Sequence, residues 1–172
     1  MTIAPDTKDW TWVVERPCAQ CGFDPGAVTR AALPQRMREA AARWPGLLAG
    51  PDVGTRTSPA IWSTLEYAAH VRDVAEVMDR RLGQMLESAD PEFANWDQDA
   101  AAVEGNYAAS DPELVADQLA IRWERFAAAY AALDGPAWER TGRRSDGASF
   151  TAYTLGVYAL HDLEHHVVDI AG

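Results

Sequence analysis

Apolar residues recur at three- and four-residue intervals along most of this chain, the spacing of helices that bury one stripe. Met37, Ala40, Ala41, Trp44, Leu47 and Leu48 make the first stripe and predict a helix from about Pro34 to Leu48, stopped by Gly50-Pro51. Tyr67, Val71, Val74, Met78, Leu82 and Met85 make the second, in a segment free of glycine until Gly83. Ser63, with Glu66 three residues later, fits a capping box at its start. His70 lies on this apolar stripe, whereas Arg72, Glu76, Asp79 and Arg80 fall mostly on the wetted face. A third helix is expected from Asp111-Pro112 to Asp134-Gly135, with Val115, Leu119, Ile121, Trp123, Phe126 and Tyr130 inward. A fourth starts near Ser149 or Thr151 and passes through Leu155, Tyr158, His161, His165 and Val168.

Between these helices the pattern lapses. Residues 10–24 read as an extended arm with Trp10, Trp12, Val13 and Val14, then Pro17 and a Cys18-Ala19-Gln20-Cys21 turn ending at Gly22. Asp24-Pro25 can start a short helical turn. Residues 88–110 form a long irregular connection, of the kind that covers something or carries function, and 136–148 form another. No strand-length alternation competes and no segment repeats. The expectation is an all-α four-helix bundle, a single domain over residues 1–172 with residues 1–24 as its N-terminal arm.

Composition narrows the partners. A chain of 172 residues can bury a core without disulfides. A net charge of −11 argues against nucleic acid, which needs clustered Lys and Arg, and Lys8 is the only lysine. No apolar run reaches the roughly eighteen residues a membrane span requires. Met1 to Asp9 is polar and lacks the features of a signal peptide, so a cytoplasmic protein with a small-molecule substrate is expected. The seven tryptophans exceed what a core of this size usually holds, and the aromatic arm is compatible with a homodimer.

The candidate chemistry lies in the four histidines. His161 and His165, four apart, project from one helical face a turn apart, a spacing at which two imidazoles can close on one metal ion. His70, inward on the second helix, can supply a third ligand and leave the fourth position open. His166 sits about 100° further round and reads as a supporting or packing group. Asp73, Asp162 and Glu164 are candidate acceptors for the ligands' second ring protons. Trp62, Trp96 and Tyr158, with Trp12, are candidate walls of a substrate cavity. Cys18 and Cys21 admit three readings, as a redox dithiol, as half of a zinc site or as a structural turn; they are also candidate pocket residues if the arm folds over the bundle mouth. An all-histidine site should lose metal as pH falls below roughly 6.5. There is no glycine-rich phosphate loop, His-Glu-x-x-His run or Gly-x-Ser-x-Gly elbow.

His70-Val71-Arg72-Asp73 together with His161-x-x-x-His165 resembles the DinB/YfiT-like metalloenzyme superfamily. Arg16-Pro17-Cys18-Ala19-Gln20-Cys21-Gly22-Phe23-Asp24, Trp62-Ser63-x-Leu65-Glu66-Tyr67, Phe93-x-x-Trp96-Asp97-Gln98-Asp99 and Leu160-His161-Asp162 look like an actinobacterial branch of it. The resemblance implies an up-down-down-up bundle holding a divalent metal (Zn, Ni, Mn or Fe) on three ligands. It also implies kinship with the mycothiol-dependent maleylpyruvate isomerase and with thiol S-transferases that use bacillithiol, mycothiol or glutathione. Some of those relatives carry Glu at the first position of the last-helix pair, and most lack the Cys-x-x-Cys arm. The expectation is a metal-dependent enzyme that transfers a low-molecular-weight thiol to an electrophile or isomerises one. A metal-dependent hydrolase and a non-catalytic ligand- or metal-binding stress protein are the alternatives.

Overall fold

The structure, a computed structural model, describes residues 9–171; Met1 to Lys8, most of the polar N-terminal segment, lie outside the described residues. The described helices are α1 (Leu33–Ala41), α2 (Trp44–Leu48), α3 (Thr64–Glu87), α4 (Gln98–Glu104), α5 (Pro112–Ala131) and α6 (Ala152–Ala171). Four of them pack in a ring in the order α1, α5, α3, α6, so α1 stands diagonally across from α3 and α5 across from α6, while α3 and α5 lie side by side. One contiguous apolar core runs from the arm through to α6.

The local signals for α3 and α5 act as expected. Ser63 caps α3, its hydroxyl accepting from the Glu66 amide at 3.3 Å while Glu66 accepts from the Ser63 amide at 2.9 Å. Arg56 pairs with the same carboxylate, fixing the entry to the helix that carries His70. Asp111 caps α5 by accepting from the amides of Glu113 and Leu114, with Pro112 at the first helical position. α3 continues through Gly83 to Glu87. Ile121, expected inward, is 68% exposed. It lies about 200° round from Leu119, on the far side of the stripe that buries Leu119, Trp123, Phe126 and Tyr130.

The expected first helix is two helices. Pro45 has no amide hydrogen and its ring would crowd the carbonyl of residue 41, so α1 ends at Ala41 and α2 begins at Trp44. The long connections also hold more structure than the pattern predicts. Residues 88–110 contain strand β1 (Glu92–Phe93), α4 and a 3-10 turn at Tyr107–Ala109. β2 (Thr141–Arg144) runs parallel to β1 and antiparallel to β3 (Ser149–Thr151), pairing Phe93 with Arg144 and Gly142 with Phe150. These strands are two to four residues long, too short for alternation to register. Because β3 takes residues 149–151, α6 begins at Ala152.

The arm is folded, not extended. Thr11–Val14 forms a 3-10 turn, and the Cys18–Phe23 turn closes at both ends, with the Gly22 amide donating to the Cys18 carbonyl at 2.8 Å and the Cys18 amide to the Phe23 carbonyl at 2.8 Å. Gly22 takes φ +76°, a left-handed conformation that glycine adopts without strain. Val13, Cys18 and Phe23 are buried, docking the arm on the bundle.

Candidate metal centres

α6 carries two interleaved ligand pairs, each four residues apart: His161 with His165, and Asp162 with His166. Successive residues turn about 100°, so the two pairs face different neighbours. The histidines do not gather around one point. Among the described residues the ligand-capable groups sort into two clusters, each with donor atoms within 4.8 Å of one another: His70, Asp162 and His166, and Cys18, Cys21, His161 and His165. The expected grouping of His70 with His161 and His165 is therefore not what the packing brings together, and His166, expected to be peripheral, stands inside a cluster.

The first cluster lies between α3 and α6. His70 Nε2 is 3.3 Å from Asp162 Oδ2, and His166 Nε2 is 3.5 Å from Asp162 Oδ1. The Trp96 ring stacks on His70 at 5.5 Å and 11°, and Trp62 lies tilted against it at 5.3 Å. Asp169, one turn beyond, is 2.8 Å from His166 Nδ1. Burial opposes a charge on His166, but the Asp162 and Asp169 carboxylates outweigh it and hold the imidazole up to about 9. Burial likewise acts to raise Asp162, yet the His166 and His70 rings keep it well below the usual carboxylate range.

The two sides of this cluster that face each other most closely are unsatisfied. His70 Nδ1 and Nε2 and Asp162 Oδ2 are buried and make no well-aligned hydrogen bond among the described residues, Nε2 and Oδ2 meeting only each other at 3.3 Å. Such atoms cost about 1–3 kcal/mol each and are few in native proteins. A cation that displaces the proton from His166 Nε2 and accepts lone pairs from that nitrogen, His70 and Asp162 removes that cost at His70 Nε2 and Asp162 Oδ2, so the residues fit a divalent metal. Two imidazoles and one carboxylate suit Mn, Fe, Ni or Zn and leave coordination positions open.

Two adjoining cavities open beside the cluster, of about 310 and 440 Å³. Trp10, Tyr158 and Asp162 line both; Trp62 lines the first, and Trp96 with Arg81 and Arg144 the second. The Arg81 guanidinium is buried, donates to the Ala94 carbonyl at 3.1 Å and lies over the Phe93 ring. Burial and the neighbouring Arg144 charge lower it to about 10.

The second cluster lies between α6 and the arm. Cys18 Sγ is 3.8 Å from His165 Nδ1, and the His161 and His165 rings lie 4.9 Å apart. Trp10 packs on both imidazoles and Phe23 meets His161 edge-on. Burial, then the His165 charge, pushes His161 down to about 4, and burial pushes the Cys21 thiol up to about 11.

Of the remaining expected residues, Asp73 is engaged elsewhere, bound by Arg72, Arg122 and the Tyr107 hydroxyl, the last at 2.6 Å. Glu164 pairs with Arg36 on α1. Trp12 stacks on Trp10 and under Arg16. Asp169, Trp10 and Arg81 are site residues that the sequence pattern does not single out. Asp169 is detectable as the acid three residues after His166, whereas Trp10 and Arg81 become site residues only through packing.

The sequence pattern of the DinB superfamily matches residues 28–170. Among solved structures, this fold is similar to YfiT from Bacillus subtilis, a probable metal-dependent hydrolase with an unusual four-helix bundle topology. The TM-score is 0.77 at 19% identity, over 87% of this chain and 90% of that one. No curated protein matches the sequence. Among the described residues no helix is long and apolar enough to cross a membrane.

Proposed function

The chain belongs to the DinB superfamily, and from that premise we propose that it is a divalent-metal-dependent enzyme whose ion is held by His70, Asp162 and His166. The observation that carries this reading is the unsatisfied, mutually facing pair His70 Nε2 and Asp162 Oδ2 beside a cavity. A divalent ion supplies Lewis acidity there, which makes a thiol or water nucleophilic near neutral pH. The resemblance to thiol-using enzymes favours a low-molecular-weight thiol of the mycothiol type, transferred to a small electrophile or used to isomerise it.

The surrounding residues define what they do around such an ion. Asp169 accepts from His166 Nδ1, so the opposite ring nitrogen faces Asp162 and His70. Trp96 stacks on His70 and Trp62 packs tilted against it, and these contacts hold its rotamer. Arg81 sets a cation in the second cavity among Asp97, Asp99, Asp146 and Asp162, where Arg144 is paired with Asp146, and it is the group there that would receive a carboxylate of a substrate or thiol. A hydrolase is the second reading, favoured by the fold shared with YfiT.

The test is thiol consumption and S-conjugate formation with a panel of electrophilic carboxylates, using metal-loaded protein and His70→Ala. Thiol-dependent turnover abolished by the substitution supports the transferase. Hydrolysis without thiol, equally sensitive to His70→Ala, selects the hydrolase. Unchanged metal content in His70→Ala refutes the site.

A further inference from the structure

We propose that Cys18, Cys21, His161 and His165 form a second, closed metal site, a tetrahedral Zn²⁺ centre that staples the arm to α6. It goes beyond the reading above, because none of its four ligands belongs to the open cluster and its cysteines lie before residue 28, where the family match begins.

The donor set is that of a structural zinc site, two thiolates and two imidazoles. The pairs come from two locally rigid elements: the Cys-x-x-Cys turn closed by Gly22, and one turn of helix presenting His161 and His165. Zinc bonds of about 2.3 Å to sulfur and 2.05 Å to nitrogen put tetrahedral S and N ligands roughly 3.6 Å apart. Cys18 Sγ and His165 Nδ1 stand at 3.8 Å, and all four donors lie within 4.8 Å.

Burial points the same way. Cys18, His161 and His165 are each at least nine-tenths buried, and His161 Nε2 has no hydrogen-bond partner among the described residues. Trp10 covers the two rings and Phe23 closes the edge of His161, so aromatic side chains shield these parts of the cluster, while His161 and His165 also border the first cavity. On binding, the two thiols release two protons, and Zn²⁺ with two thiolates and two neutral imidazoles makes a site of zero net charge, suited to that apolar shell.

The arrangement gives the ion a structural task. His165 Nε2 faces Asp169 Oδ1 at 3.7 Å, while the other oxygen of that carboxylate holds His166. The staple therefore fixes Trp10 in the cavity wall and Asp169 behind the open site.

Cobalt titration of the reduced, metal-free full chain tests this. A sulfur-to-cobalt charge-transfer band with intense tetrahedral visible bands, saturating at about one equivalent, is expected in the wild type. The band should persist in His70→Ala and disappear in Cys18→Ser/Cys21→Ser, so failure here is separable from failure of the open site. Zinc bound by the wild type should also fall by one equivalent on treatment with a thiol-specific mercurial. A wild type that binds cobalt to saturation without the band overturns the proposal, whatever the fate of the serine variant. So does a Cys18–Cys21 disulfide as the stable state of the metal-exposed protein under reducing conditions.

Discussion

The position of α6 sets both ligand clusters, and Gly156 sets how closely α6 approaches its neighbours. A Cβ on Gly156 would stand 2.7 Å from Leu33 Cδ2 on α1 and 2.7 Å from Tyr130 Cζ on α5, distances that real Cβ atoms do not show. Tyr130 is fully buried and its hydroxyl donates to the Ala152 carbonyl at 2.7 Å, so its ring cannot swing aside without losing that bond. Gly156→Ala is therefore expected to reverse the usual sign of a glycine-to-alanine change in a helix. The helix preference gains about 1 kcal/mol. Overpacking costs about 1–3 kcal/mol and the displaced hydrogen bond about 1 kcal/mol more. The net expectation is destabilisation by about 1–3 kcal/mol. Gly83, inside α3 with nothing within 4 Å of where an added methyl would stand, is the control, and Gly83→Ala should stabilise by about 0.5–1 kcal/mol. Urea unfolding of metal-free protein, with both variants sharing the wild-type m value, measures the pair. A Gly156→Ala chain as stable as the wild type would refute the close approach of α6 to Tyr130 and Leu33.

Three further outcomes follow from other contacts. Burial acts to raise the Asp73 carboxyl, but hydrogen bonds from Arg72 and Tyr107 and the charges of Arg72 and Arg122 hold it below its ordinary value. Its contribution is thus present above the unfolded pKa of about 3.9 and lost as pH falls through the folded value; the stability gap between wild type and Asp73→Asn, measured in urea, should be constant from neutral pH down to about pH 5 and shrink below about pH 4. Arg81→Gln should raise KM for a carboxylate-bearing substrate about tenfold or more, the worth of a charged hydrogen bond, with metal content unchanged by elemental analysis and little effect on a neutral analogue. Trp123→Phe removes the 2.9 Å bond from Nε1 to the Val71 carbonyl beside His70; that carbonyl keeps its helical bond within α3, so a loss of about 0.5–1.5 kcal/mol in chemical denaturation is expected.

Helix positions are legible in the sequence because their causes are local. Ser63 and Glu66 cap α3, Asp111 and Pro112 start α5, and the inward rows follow the 3.6-residue period apart from Ile121 and Val168, which are exposed. The metal residues are legible as a set but not as a partition. Spacing of four residues identifies His161 with His165 and Asp162 with His166 equally well, and only packing against α3 and the arm decides which pair meets His70. The cysteines pose the same difficulty over a longer range, because Cys18 and His165 are 147 residues apart and no local pattern connects them. Asp73 suggests a partner of His70 because it lies one turn along α3, yet Arg122 and Tyr107 draw it towards α5 and the preceding connection.

The adjacency of the two ligand pairs on α6 makes the site sensitive to helical phase. The start of that helix is anchored by the Tyr130–Ala152 bond and by the contact at Gly156. One residue inserted between Gly156 and Leu160 would advance everything beyond it by about 100°. His161 and His165 would then occupy the slots now held by Asp162 and His166, presenting an all-histidine set to His70 and leaving the cysteines without imidazoles. A single codon therefore separates two ligand fields for the same bundle, and the chain's chemistry depends on the register of its last helix as much as on the identity of the residues it carries.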